Sequence, residues 1–253
     1  MRHPLLAELN TAQDRGPDAP PPILHTFDGR RLVITHTIDP VIDLARLALA
    51  GHRIEPQFCD LETGRPLSTK DRSELLASDT ERVDAETLTL GLDRLPSGPV
   101  QGEHPTLILA ISFLTASSLR ARTKLLPTGL AAQAAMQNSV IWLLTDLPEG
   151  LPVGRLIEVA AVMKAFGRAV FARTALNSAV LKLARPAGIA GLVLEPQRPL
   201  THETDAALWL LQAGRMAERA APALVAAGLP STALFGMAAE AGFTHATVRG
   251  AES

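Results

Sequence analysis

The chain has 253 residues, with 24 Lys plus Arg against 26 Asp plus Glu and a formal net charge of −2. That balance excludes nucleic-acid binding through bulk charge, which needs a basic surplus, and the 47% hydrophobic content excludes a disordered chain. The single cysteine, Cys59, excludes a disulfide framework and a cysteine-based zinc cluster. Arg, Lys, Pro or Gly interrupts every apolar stretch well before the roughly 18 residues of a membrane span. Residues 1–22 hold no continuous apolar stretch of the kind a secretory signal needs. A cytoplasmic protein with no membrane span is expected.

The first segment, residues 1–22, reads as a flexible Pro-rich arm. It ends in Gly16-Pro17-Asp18-Ala19-Pro20-Pro21-Pro22, and consecutive prolines favour an extended chain. A hairpin follows, with Ile23–Phe27 and Arg31–His36 flanking Asp28-Gly29-Arg30. Asp39-Pro40 then predicts a helix start, Asp39 as cap and Pro40 at the first position. Val41, Leu44, Ala45, Ala48 and Leu49 give it an apolar face, and Gly51 ends it.

Strands are predicted over Arg53–Asp60, Thr106–Ser112, Ser139–Thr145, Arg168–Arg173, Ala190–Glu195, Ala223–Ala227 and Thr244–Val248. Several are near-continuous apolar runs, as expected of strands covered on both faces. Helices are predicted between them. Pro152–Phe166 presents Leu156, Val159, Ala160 and Met163 on one side. Thr201–Ala220 presents Leu208, Leu211 and Met216, with His202 in its first turn. Ser231–Ala241 is closed by Gly242. About six β-α repeats therefore lie between Leu107 and Val248. The fold class is α/β, a TIM-type (β/α) barrel over residues 23–253 with an N-terminal hairpin and helix addition. An open doubly wound sheet is the alternative.

No dinucleotide, phosphate-loop, zinc-protease or serine-hydrolase motif is present. The seven histidines form no i, i+4 pair, and none lies two to four residues from Cys59, so no metal site is expected. Cys59 reads as a small buried hydrophobe. In a barrel, function sits at the C-terminal strand ends. The charged residues predicted there are Asp146, Arg173 and Glu195. They fit three readings: solvated loop residues, a structural ion-pair cluster, or a ligand site.

The order of segments resembles the EAL-domain family of bacterial cyclic-di-GMP phosphodiesterases, over residues 53–250. Ile54–Arg65 is similar to the family's opening strand and D-L-x-T-G-R turn. Leu107–Ser112 is similar to V-N-L-S, Ile141–Asp146 to L-E-I-T-E, and Gly191–Glu195 to L-K-I-D. Gly167–Arg173 occupies the place of G-x-x-I-A-L-D-D, and Val225–Ser231 that of A-E-G-V-E-T. The resemblance implies two divalent cations held by acidic and Asn ligands, and the ligands do not carry over. Ala110 stands at the Asn, Leu143 at the first Glu of L-E-I-T-E, and Ala172 and Arg173 at the paired Asp. Val193 replaces the Lys and Ala227 the Glu of A-E-G. E-A-L itself has no clean counterpart beyond Ser73-Glu74-Leu75. Only Asp146 keeps a matching acid.

The chain is therefore expected to be no enzyme, with no catalytic residue, no bound metal and no cofactor. It is expected to regulate through contact with a protein partner in a cyclic-di-GMP or motility pathway. One alternative is a barrel enzyme with a rebuilt site at Asp146, Arg173 and Glu195, which predicts a polar pocket where those three converge. The emptied-site reading predicts a shallow mouth, filled by Trp142, Leu143, Phe171 and Val193 or covered by a loop. A further alternative is a cyclic-di-GMP receptor without hydrolysis, with Arg65, Arg72 or Arg173 gripping phosphate, although nucleotide binding is not the favoured expectation. A homodimer through Leu130–Met136 and Thr201–Ala223 is also considered. Residues 23–51 either supply a barrel strand or form a separate hairpin.

Overall fold

The computed structural model describes residues 22–67, 71–72, 74–93, 106–126, 130–176, 179–198 and 200–249. Residues 1–21 of the proposed arm 1–22, and Ser73, lie outside the described residues. The first strands in chain order are β1 Ile23–His25, β2 Arg31–Asp43, β3 Ala48–Asp60, β4 Thr106–Ser112 and β5 Val140–Thr145. They continue with β6 Ala169–Thr174, β7 Gly191–Leu194, β8 Ala223–Leu229 and β9 His245–Val248. Strands β3 to β9 pair in parallel in sequence order. Strand β2 runs antiparallel to both β3 and β9 and closes the ring. Eight strands therefore form a closed barrel, and β1 is hydrogen-bonded to β2 outside it. The hairpin predicted around Asp28-Gly29 is present, and Gly29 supplies the positive φ of its turn.

The predicted helix over residues 39–51 is not there. Residues 31–43 and 48–60 form one long hairpin, with Asp39 paired to Arg53 and Pro40 to His52. Pro40 is tolerated because that stretch of β2 has only one partner. Strand β1 covers residues 31–33, and β9 covers only Ile42 and Asp43. The missing N–H therefore faces an unpaired edge. Residues 31–43 thus supply a ring strand, and β1 is the N-terminal addition outside the ring.

The helices are α1 Ala77–Leu92, α2 Phe113–Ser117, α3 Leu119–Leu125, α4 Leu130–Ser139, α5 Val153–Lys164, α6 Val180–Leu183, α7 Glu203–Ala217 and α8 Phe235–Glu240. Helix α5 buries the predicted Leu156, Val159, Ala160 and Met163. Helix α7 turns the other way from its predicted face. It buries Ala206, Leu210, Ala213, Gly214 and Ala217, while Leu208 is 63% exposed and Leu211 and Met216 also face outward. Close packing selects the small residues. A Cβ on Gly214 would stand 1.9 Å from the backbone oxygen of Ala241. His202 is the residue at the N-cap of this helix, one position ahead of its first turn.

Gly214→Ala is expected to destabilise the protein by about 1–3 kcal/mol through overpacking. That outweighs the gain of roughly 1 kcal/mol from replacing a helix-interior glycine. A lowered thermal midpoint checks it, and an unchanged or raised one would contradict the close approach.

Alternation along each strand separates two cores. Outward residues, among them Leu109, Trp142, Leu144, Val170, Leu192 and Leu224, pack under the helices. Inward residues Val41, Ile108, Leu143, Phe171, Val193, Val225 and Ala227 fill the barrel interior. Trp142 therefore belongs to the outer layer. A Cβ on Gly167 would meet its indole at 2.7 Å. Among the described residues, no helix is long and apolar enough to cross a membrane.

Candidate functional site

The inward face of each strand changes character toward the C-terminal end of the barrel. Two residues beyond Phe171 on β6 stands Arg173, and two beyond Val193 stands Glu195. On antiparallel β2, Asp39 lies two residues from Val41 toward the same rim, and β3 contributes Arg53 and Glu55. A strand's period of two places these side chains on one face. The floor is thus apolar, with Leu143, Phe171 and Val193 in place, and a charged layer lies directly above it.

Two guanidiniums organise that layer. Arg53 Nη2 donates to Asp39 Oδ2 at 2.8 Å, and its Nη1 donates to Glu195 Oε1 at 2.5 Å. The same Nη1 lies 3.5 Å from Glu55 Oε1. Arg173 Nη1 donates to Glu55 Oε2 at 3.0 Å, and its Nη2 lies 3.6 Å from Asp146 Oδ1. Glu55 therefore bridges the two arginines. Arg53 is 6% exposed and Glu55 4%, whereas Asp146, Glu195 and Asp39 sit nearer the rim.

Burial works against charge on Glu55, but Arg53, Arg173 and Arg72 outweigh it and hold the carboxyl below the usual carboxylate range. Burial likewise opposes the Arg53 charge and is overcome by Glu55 and Glu195, so its value is raised. Arg173 follows the same pattern through Glu55, Glu195 and Asp146. Arg72 is pushed down by burial and by repulsion from Arg173. Its stem lines the clefts on either side. Asp146 adopts a left-handed backbone, φ 53°, a conformation Asp tolerates better than most residues. Its Oδ2 accepts from Thr145 Oγ1 at 3.0 Å.

The three predicted residues, Asp146, Arg173 and Glu195, are brought together. They line one cleft of ≈ 650 Å³ with Arg72. A second cleft of ≈ 480 Å³ adds Asp39, Arg53, Glu55 and Arg249. Arg53, Glu55 and Asp39 were not predicted as site residues. Asp39 was assigned to a helix cap, and Arg53 and Glu55 to the register of an opening strand. The available signal was Arg-x-Glu within a strand, which puts opposite charges on one face. Arg65 does not join the site and is exposed on the turn after β3. Of the positions mapped by resemblance, Leu143, Arg173, Val193 and Ala227 face inward, whereas Ala172 packs outward under the helices. Cys59 is a half-buried free thiol.

Beneath the mouth lies Asp84 of α1, buried and without a cationic partner among the described residues. Its carboxylate accepts from the Ser112 backbone N–H and from Ser112 Oγ at 2.8 Å. The Ser112 hydroxyl in turn caps α2, accepting from Thr115 N at 3.1 Å. A cavity of ≈ 30 Å³, room for about one water, is lined by Asp84, Asp146, Arg173 and Glu55. Burial raises the Asp84 carboxyl to about 6, against the hydrogen bonds from Thr115 and Ser112, and repulsion from Asp146 adds to the rise.

A raised folded-state value favours folding while the group is protonated, and that advantage is lost as pH rises through about 6. Asp84 should cost the fold about 2–3 kcal/mol between pH 4 and 7. His245, held below its ordinary value by burial, contributes the opposite slope near neutrality. Comparison of wild type with Asp84→Asn isolates the Asp84 part. The variant is expected to gain stability relative to wild type as pH rises from 4 to 7 in urea titrations. Parallel pH profiles would contradict the assignment.

In sequence, no family model and no curated protein matches the chain. Solved structures do match in shape. The Bacillus subtilis YkuI protein, with an EAL domain, in complex with substrate c-di-GMP and calcium, superposes with a TM-score of 0.58 at 12% identity. The match covers 84% of this chain and 52% of that one, so this chain spans about half of YkuI. The fold is that of an EAL domain. The PaMucR phosphodiesterase in its c-di-GMP complex gives a TM-score of 0.58 at 12% identity, over 85% of this chain and 89% of that chain. The FimX EAL domain from Pseudomonas aeruginosa, bound to c-di-GMP, gives 0.56 at 11%, over 85% and 88%.

The two-cation centre that an EAL fold implies does not fit these residues. The buried carboxylate best placed to hold a cation, Glu55, faces a guanidinium on each side. A guanidinium has no lone pair to give a metal. Its fixed charge about 4 Å from a divalent ion costs several kcal/mol at an effective dielectric near 20.

Proposed function

We propose that this EAL-fold barrel does not hydrolyse cyclic dinucleotides and acts as a regulatory protein through contact with a protein partner in a bacterial cyclic-di-GMP pathway. The observation that carries the reading is the salt-bridged layer Asp39–Arg53–Glu55–Arg173–Asp146, which commits the mouth carboxylates to arginines. A cytoplasmic location accords with it. The test is hydrolysis of cyclic-di-GMP by purified protein with Mg²⁺ or Mn²⁺. No turnover above a protein-free control is expected, and turnover matching an EAL phosphodiesterase would refute the reading. Affinity capture from a native bacterium, with the nucleotide added or withheld, would then identify the partner.

A second reading is a cyclic-di-GMP receptor. Two observations favour it. The mouth opens into clefts of ≈ 480 and ≈ 650 Å³ that present Arg72, Arg173 and Arg249, and guanidiniums grip phosphate well. Three of the neighbouring solved structures, YkuI, PaMucR and FimX, are complexes with that nucleotide. In this reading Asp146, Arg173 and Glu195 touch the ligand. Calorimetric titration decides it, since heats equal to buffer dilution would remove it. A rebuilt enzyme site draws on the same convergence of Asp146, Arg173 and Glu195. It requires a group free to move a proton: Glu55 is held ionised, and the raised acid, Asp84, lies beneath the mouth and is engaged by Ser112. A homodimer is tested by light scattering.

A further inference from the structure

We propose that Arg53 and Arg173 are built-in counter-cations, each guanidinium filling a position in the carboxylate layer at which a divalent cation would otherwise be held. This rests on the non-hydrolysing reading of the mouth and adds what makes the mouth refractory to metal.

Glu55 carries the argument. Its Oε2 accepts from Arg173 Nη1 at 3.0 Å, and its Oε1 faces Arg53 Nη1 at 3.5 Å. Oε1 is buried and makes no hydrogen bond. A fully desolvated carboxylate oxygen held by Coulomb attraction alone is costly. It is also the kind of oxygen a hard cation takes as an inner ligand. Arg173 stands between this carboxylate, from β3, and Asp146, after β5. One guanidinium thus separates two acids that come from different strands. Among the described residues, no three His, Cys, Asp or Glu side chains converge as a ligand set. The planar guanidinium, with its five N–H donors, keeps the oxygens at hydrogen-bond range around itself instead of converging on a point. Divalent cations of the magnesium type need only one or two carboxylates when water completes the shell. Glu55 and Asp146 are those two, with the ≈ 480 Å³ cleft at Glu55 and the ≈ 650 Å³ cleft at Asp146 to admit water.

Removing one guanidinium therefore opens one cation position. Arg173→Met deletes the charge while keeping an unbranched apolar stem. Mn²⁺ is titrated into wild type and variant, following free Mn²⁺ by electron paramagnetic resonance. The variant is expected to bind one Mn²⁺ at least tenfold more tightly than wild type. Mn²⁺ should raise the melting temperature of the variant and leave that of wild type unchanged. Arg173→Lys, which keeps a tethered cation, should behave as wild type, and Arg173→Met with Glu55→Gln should lose the added site. If Arg173→Met does not fold, Arg173→Gln carries the same titration. Folded variants that bind Mn²⁺ no better than wild type would overturn the proposal, as would tight binding by wild type itself. None of these readouts involves hydrolysis, so failure here is distinct from detecting phosphodiesterase activity.

Discussion

Replacing Arg53 by methionine is expected to destabilise the barrel by about 3–5 kcal/mol, the cost of removing one partner from a buried ion pair. Arg53 is the hub of the charged layer: among the described residues it is the arginine that contacts all three of Asp39, Glu55 and Glu195. Its side chain is 7% exposed, so little solvent would reach the carboxylates left behind. Glu55 would keep Arg173, but Glu195 and Asp39 would lose their closest cation. The effect should depend on pH. Glu55 lies below its ordinary value in the folded state, so its contribution is present above the unfolded value and fades as pH falls through the folded one. Part of the Arg53→Met deficit should therefore close on acidification, as Glu55, left with one arginine fewer, takes up a proton. Urea unfolding at pH 7 and near pH 4 measures both terms. A deficit under 1 kcal/mol at pH 7 would mean that the layer is solvated and the bridge through Glu55 is not a structural element.

Trp142→Ala is the second large effect, expected at about 3–5 kcal/mol. Trp142 is among the largest fully buried side chains, packed in the outer core with Gly167 fitted against its ring. Its indole Nε1 has no hydrogen-bond partner, so deleting the ring also deletes an unsatisfied donor. That places the cost toward the lower end of the range. Because the ring lies on the helix side of β5, the same substitution should leave the mouth unaltered, and any ligand affinity there should be retained. Loss of ligand binding by a folded Trp142→Ala protein would place the indole in the barrel interior, contrary to its packing.

The legibility of this chain follows where each element gets its stability. Strands β4 to β9 were legible because both their faces are buried, so Leu107-Ile108-Leu109-Ala110-Ile111 and its counterparts stand out as apolar runs. Strand β2 was not. Its burial is partial and uneven, and its Asp39-Pro40 step matches a helix start as well as it matches a strand edge. Local chemistry at that step is ambiguous, and only the pairing of β2 with β3 over a dozen residues decides it. Helix α7 was placed correctly along the chain and wrongly in rotation. Leu208 and Leu211 are the more hydrophobic stripe, but the tight approach to Ala241 requires glycine and alanine.

The charged layer was half legible. Asp146, Arg173 and Glu195 were found because they stand at predicted strand ends, where a barrel gathers its site. Arg53 and Glu55 stand within a strand, and a charge in a strand reads as solvent-facing until the ring is closed. The resemblance included Glu55 in its opening strand, Ile54–Arg65, but gave no role to it, the most deeply buried acid of the mouth. What remained visible in the sequence was the replacement of acids and Asn by Ala110, Leu143, Arg173 and Ala227. The proposed loss of metal ligands was therefore legible before the arginine layer that stands at the mouth.

The most direct measurement is anomalous diffraction from wild-type crystals grown with millimolar Mn²⁺. The account predicts continuous guanidinium density linking Glu55 to Asp146 and Glu195, with no anomalous peak at the barrel mouth. Two manganese peaks coordinated by Glu55 and Asp146, with Arg53 and Arg173 swung aside, would contradict it.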